Sequence, residues 1–169
     1  DIVDTNKYVI QDVSIIDKLP PGRKKIDTRF YSEKERMDAY NLALNEINKG
    51  RQVYIVCPLI EENEKMELNS VEKLYEELKD DVFRNVSVEI LHGKMKPKEK
   101  DEIIGLFKEN KVKVIISTTV IEVGVNVPNA SIMIIENSER FGLAQLHQLR
   151  GRVGRGEYQS YCILKYESK

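Results

Sequence analysis

Uninterrupted apolar stretches alternate along this chain with stretches whose apolar residues recur every three or four positions. The first pattern suits strands and the second suits amphipathic helices. QVYIVCPLI (52–60) is a continuous, β-branched run of the kind found in strands covered on both faces. VSVEILHG (86–93), VKVIIST (112–118), SIMIIEN (131–137) and SYCILKY (160–166) also read as strands, and RKKIDTRFY (23–31) alternates as one. Ser32 and Glu35 form a capping-box signature for a helix with Met37, Tyr40, Leu44 and Ile47 on one side, ended by Gly50. Asn69 and Glu72 cap a second helix whose stripe is Val71, Leu74, Tyr75 and Leu78. Pro97 opens a third that runs through Phe107, and a fourth spans Gly142 to Val153. Strands alternating with helices predict an α/β domain: right-handed crossovers, a mostly parallel sheet, and helices on both faces. Ahead of it, the short apolar run and double proline of DVSIIDKLPPG (12–22) predict a linker, so residues 1–22 are set apart from a domain at 23–169.

In such a sheet, ligands gather beyond the carboxyl ends of the strands. Three connections fall there: HGKMK, TTVIEVGVNVP and ENSERFG. In the first, Gly93 admits close backbone approach, and Lys94, Lys96 and Lys98 bring positive charge to a helix start, as a phosphodiester backbone requires. The same residues also make an ordinary glycine turn before a soluble helix, with Glu99, Asp101 and Glu102 as its acidic first turn. In the second, Ser117, Thr118 and Thr119 put hydroxyls at a strand end, where they bond phosphate or cap the next turn. Gly124 and Asn126 add a close-approach position and a side chain able to bond a ribose hydroxyl, and Glu122 fits either a backbone bond or an arginine partner.

The richest segment is QLRGRVGRG (148–156). At about 100° per residue, Gln145, Gln148 and Arg152 share one helical face and Leu146, Leu149 and Val153 another, so one stripe anchors while the other reaches out. Arg152 and Arg155 carry planar forks suited to phosphate oxygens, beside Gly151 and Gly154, which clear space for a ligand. Arg150 lies nearer the apolar stripe. The alternative is a solvated helix end, its arginines answering the dipole and its glycines terminating it.

Composition narrows the classes. A net charge of −1 excludes a bulk polycation, leaving local patches at Lys94–Lys100 and Arg150–Arg155 for any nucleic acid. No apolar run approaches the roughly 20 residues of a membrane helix and no signal-peptide pattern opens the chain, which reads as cytoplasmic with no membrane partner. Cys57 and Cys162 sit in apolar runs and are expected as buried, reduced thiols. With His92 and His147 scattered, no metal site is expected. A G-x-x-x-x-G-K-[ST] loop is absent, and no acidic pair stands out at a strand end, so an ATPase site cannot be completed from these residues. The start at Asp1 reads as that of an excised fragment.

Taken in order, VYIVCPLIEE, LHGKMKPKEK, STTVIEVGVNVPNA and ERFGLAQLHQLRGRVGRG resemble motifs IV, IVa, V and VI of the second RecA-like domain of superfamily 2 helicases, within their bacterial branch-migration group. The resemblance runs from about Asp12 to the chain's end. It implies a three-layer, P-loop NTPase-like fold, and a helicase C-terminal domain working with a first RecA-like domain of the same polypeptide on branched DNA such as forks and Holliday junctions. It also implies ATP with Mg2+, bound mainly by that first domain, and a monomeric full-length protein. By the same resemblance Arg152 and Arg155 stand at arginine-finger positions with Gln148 beside them. Gly124 and Asn126 match positions near the ribose, although Asp is common where Asn126 stands. Gly93, Lys94, Thr118 and Thr119 match contacts to the nucleic-acid backbone. By itself the chain is expected to be inactive. Two other classes compete: a non-catalytic nucleic-acid or protein adaptor that keeps the fold, and a small-molecule α/β enzyme, which the absence of a nucleophile and base pair at the rim disfavours.

Overall fold

The computed structural model describes residues 26–58, 64–118, 127–153 and 158–167, with 64–67 as backbone alone. They form a six-stranded sheet in the order β1-β6-β5-β2-β4-β3, with every pairing parallel. Its strands are β1 (Asp27–Ser32), β2 (Gln52–Cys57), β3 (Val88–Leu91), β4 (Val114–Thr118), β5 (Ala130–Ile135) and β6 (Tyr161–Tyr166). The helices are α1 (Arg36–Asn48), α2 (Glu64–Lys79), α3 (Pro97–Lys108) and α4 (Leu143–Arg150). The expected α/β architecture is therefore present, and the strand segments read from the sequence form the sheet.

Alternation along each strand builds a core on each face. Val53, Ile55 and Cys57 of β2, with Ile132 and Ile134 of β5, meet Ala39, Tyr40 and Ala43 of α1 and Val71, Leu74 and Leu78 of α2. Tyr54 and Val56, with Met133 and Ile135, face the other way and meet Phe107 of α3 and Leu146 and Leu149 of α4. All six residues of β2 are buried, which explains its unbroken apolar run. The rings of Tyr54 and Phe107 sit 4.9 Å apart. At the amino edge, the Gln52 side-chain amide donates to the carbonyls of Phe107 and Val112 and accepts from Asn129, sealing the sheet end without an unmet polar group on that amide.

Three helix details differ from the sequence reading. The inward face of α1 is Ala39, Tyr40, Ala43, Glu46 and Ile47, whereas Met37 is exposed and Leu44 only half-buried. Two alanines let the helix approach the sheet closely, and Glu46 is tolerated inside because Ser131 donates a 2.9 Å hydrogen bond to it. Asn69 lies within α2, which starts at Glu64, so its signature is not the helix start. The fourth helix stops at Arg150, and Val153 follows in a turn. The capping box of Ser32 and Glu35 forms as expected, opening a short 3-10 turn (Glu33–Glu35) that leads into α1. At the other end of α1, Gly50 takes φ 94°, a left-handed conformation that glycine adopts without strain.

Candidate functional site

Parallel strands place all their carboxyl ends on one edge. There Leu91 of β3 pairs with Ser117 of β4, so the turn at Gly93 and Lys94 lies beside Thr118 at the end of its neighbour. The turn is held locally: the Lys94 amide donates to His92 Nδ1 at 3.2 Å, and Lys100 reaches the Gly93 carbonyl at 3.5 Å. Lys94 and Lys96 are exposed, and Pro97 stands at the start of α3. Thr118 itself is buried. Its neighbour Thr119, together with Gly124 and Asn126, lies outside the described residues, as do Arg155, Gly154 and Glu122.

α4 leaves this edge and returns along the sheet. Leu146 and Leu149, followed by Val153, are buried in the core shared with α3, while Gln145 and Gln148 are exposed, so the predicted division into an anchoring and an outward stripe is present. Arg150 is turned inward and its Nε donates to Thr28 Oγ1 at 2.9 Å. Burial pushes its guanidinium pKa down. Thr28 is the second residue of β1, so the Arg150 side chain reaches the amino-terminal half of that strand. An eight-residue helix carries the chain back by about 12 Å.

Arg152 follows in the turn, half-buried, with its amide donating to the Leu149 carbonyl at 3.1 Å. Its Nε is buried without a hydrogen-bond partner among the described residues, and the same is true of the Tyr54 hydroxyl. Burial pushes the Tyr54 phenol up, and the charge of Arg152 works against that rise. Leaving such a donor unmet costs about 1–3 kcal/mol. A guanidinium offers a planar fork of donors whose geometry suits an anion. Gly151 has φ −68°, and a Cβ there would meet only ordinary contacts, so the turn's own backbone does not require glycine at that position.

One charged cluster was missed. Lys165 on β6 is fully buried and pairs with Glu136 at 2.6 Å, with Glu33 at 3.5 Å and the Tyr40 ring beneath it. Burial pushes the Glu136 carboxyl up, and Lys165 opposes the rise. The pair floors a cleft of about 190 Å³ whose mouth carries Lys73 and the Arg36–Glu77 ion pair. The signal for it was a lysine and a glutamate at inward-facing positions near the ends of apolar strands. Cys57 beside it is a buried free thiol pushed up to about 12 by burial, and Cys162 is likewise free and buried. Among the described residues no group of His, Cys, Asp and Glu could hold a metal ion, and no helix is long and apolar enough to cross a membrane.

Parallel sheet, two helical layers and an arginine turn after α4 together define a RecA-like helicase domain: residues 35–157 match the helicase conserved C-terminal domain, and the chain belongs to that family. Within it, the resemblance is to RecG. The chain is 52% identical to the ATP-dependent DNA helicase RecG of Synechocystis over 94% of its own length and 19% of that protein's. It is 54% identical to RecG of Streptococcus pneumoniae over 90% of this chain and 23% of that one. The solved structure of RecG bound to a three-way DNA junction superposes with a TM-score of 0.73 at 39% identity, over 90% of this chain and 19% of that one. The chain thus spans about a fifth of the length of the curated relatives it matches.

Proposed function

We propose that residues 23–169 form the second motor domain of an ATP-dependent DNA helicase that remodels branched DNA, regressing forks and migrating Holliday junctions, with residues 1–22 as the link to the first motor domain. The observation that carries this reading is Arg152: a half-buried guanidinium whose Nε has no hydrogen-bond partner among the described residues, on a turn anchored by Leu149 and Val153. In this reading Arg152 and Arg155 reach across a cleft to the phosphates of ATP held by the first motor domain, and the exposed Gln148 senses the same nucleotide. Gly124 and Asn126 meet the ribose. Mg2+ supplies charge neutralisation at the phosphates and is held chiefly by the first domain, since this sequence contains no phosphate loop of its own.

Gly93, Lys94, Thr118 and Thr119 grip the DNA backbone from the carboxyl rim. Such contacts are independent of sequence, as a translocase needs. In this reading closure on ATP at the arginine turn moves the sheet that carries the DNA-gripping loops, as a motor requires. A monomeric, cytoplasmic full-length protein fits this scheme, and the isolated chain is expected to turn over no ATP.

The test is ATP hydrolysis by the full-length protein on forked DNA. Arg152→Ala and Arg155→Ala are each expected to lower turnover by about 10³-fold or more, the range of arginine fingers in other phosphoryl-transfer systems, with fork binding retained. Wild-type turnover in both variants removes the proposal.

A further inference from the structure

Three arginines stand in QLRGRVGRG, and one of them, Arg150, is turned into the domain's own core side. A buried guanidinium is tolerated only where hydrogen bonds replace its lost water, and Thr28 Oγ1 supplies one at 2.9 Å. The next turn of chain is built on Arg150: the Arg152 amide bonds Leu149, and the Val153 amide bonds the Arg150 carbonyl at 3.4 Å. Thr28 lies on β1, which among the described residues is an edge strand hydrogen-bonded within the sheet only to β6. β1 is also the first strand after the segment assigned above as the interdomain link.

We propose that Arg150 and Thr28 are a positioning pair, which ties the arginine turn to the strand entering the domain and so sets where the Arg152 fork points. A tilt of β1 as the two motor domains close then reaches Arg152 through two residues of backbone, without passing through the rest of the sheet. The pair touches neither nucleotide nor DNA. It fixes the geometry of the group that does. This rests on the reading of Arg152 as the phosphate-facing residue.

The experiment uses the full-length protein with ATP and forked DNA, comparing Thr28→Val, Thr28→Ser and Arg152→Ala. Thr28→Val keeps the shape and removes the acceptor. It is expected to lower kcat roughly tenfold, short of the about 10²-fold that a 1 Å misplacement can cost, with KM for ATP near wild type when assayed well below the melting transition. Thr28→Ser restores the acceptor and is expected to recover most of kcat. Wild-type kcat in Thr28→Val while Arg152→Ala is inactive overturns the positioning role and leaves the motor reading intact. A serine variant as slow as the valine variant, or a kcat loss accounted for by loss of folded protein at the assay temperature, also overturns it. Full turnover in Arg152→Ala removes the motor reading itself, and this inference with it.

Discussion

Lys165→Met isolates an ion pair buried on both sides. The Lys165 side chain is 1% exposed and the Glu136 side chain 8%, with 2.6 Å between their charged atoms. The second partner, Glu33, is 3.5 Å away and 44% exposed, so solvent screens it and it adds little. Methionine fills nearly the same volume, which keeps the packing loss small. What remains is Glu136 in the core with only the more distant charge of Arg36, itself paired with Glu77, to offset it, and its Oε1 already has no hydrogen-bond partner among the described residues. Breaking one side of a buried pair costs about 3–5 kcal/mol. At about 2–4 °C per kcal/mol for a domain of this size, the melting temperature should fall by roughly 6–20 °C. Glu136→Gln combined with Lys165→Met removes both charges and should recover most of the loss.

The pH dependence has a definite sign. Burial raises the folded-state pKa of Glu136, and without Lys165 nothing of comparable strength opposes the rise. A carboxyl with a raised folded pKa binds more protons folded than unfolded. Its contribution to stability is therefore fully present below the ordinary glutamate range and lost as pH rises through the raised value. The deficit of Lys165→Met should be largest at about pH 8 and shrink towards about pH 5, measured by urea unfolding followed by circular dichroism. A variant within about 1 kcal/mol of wild type at the higher pH, or a deficit that grows on acidification, refutes the argument.

Gln52→Leu strips the carbonyls of Phe107 and Val112 of the side-chain donor that serves both, and should lower stability by about 2 kcal/mol or more, read as a lower urea midpoint at unchanged slope. Cys57 and Cys162, both buried with thiols pushed up to about 12, should resist alkylation at neutral pH until the chain is unfolded. Labelling at a rate independent of denaturant would contradict their burial.

Strands were legible because two-sided burial writes itself as an unbroken apolar run, as in β2. Helix faces were less so. In α1 the expected Tyr40 and Ile47 are buried and Leu44 packs against the core, but Ala39 and Ala43, whose small side chains carry little hydrophobic signal, complete the inward face, and the larger Met37 pulled the expected stripe off its centre. For the arginine segment, periodicity separated outward Gln148 from inward Leu149, and set Arg150 beside the apolar stripe, where the structure has it. It could not say where Arg152 lies relative to the strand ends, because that depends on how far α4 runs before it stops, and the helix stops three residues earlier than its apolar pattern. The Glu136–Lys165 pair was within reach of the same reasoning. Lys165 stands two residues after Ile163 and Glu136 two after Ile134, so strand parity turns both charges to the face covered by α1 and α2. The parallel register that sets Ile135 beside Leu164 then places the next residues, Glu136 and Lys165, side by side. A buried cation with a buried anion one strand away has no better partner, and the ion pair follows from parity and register together.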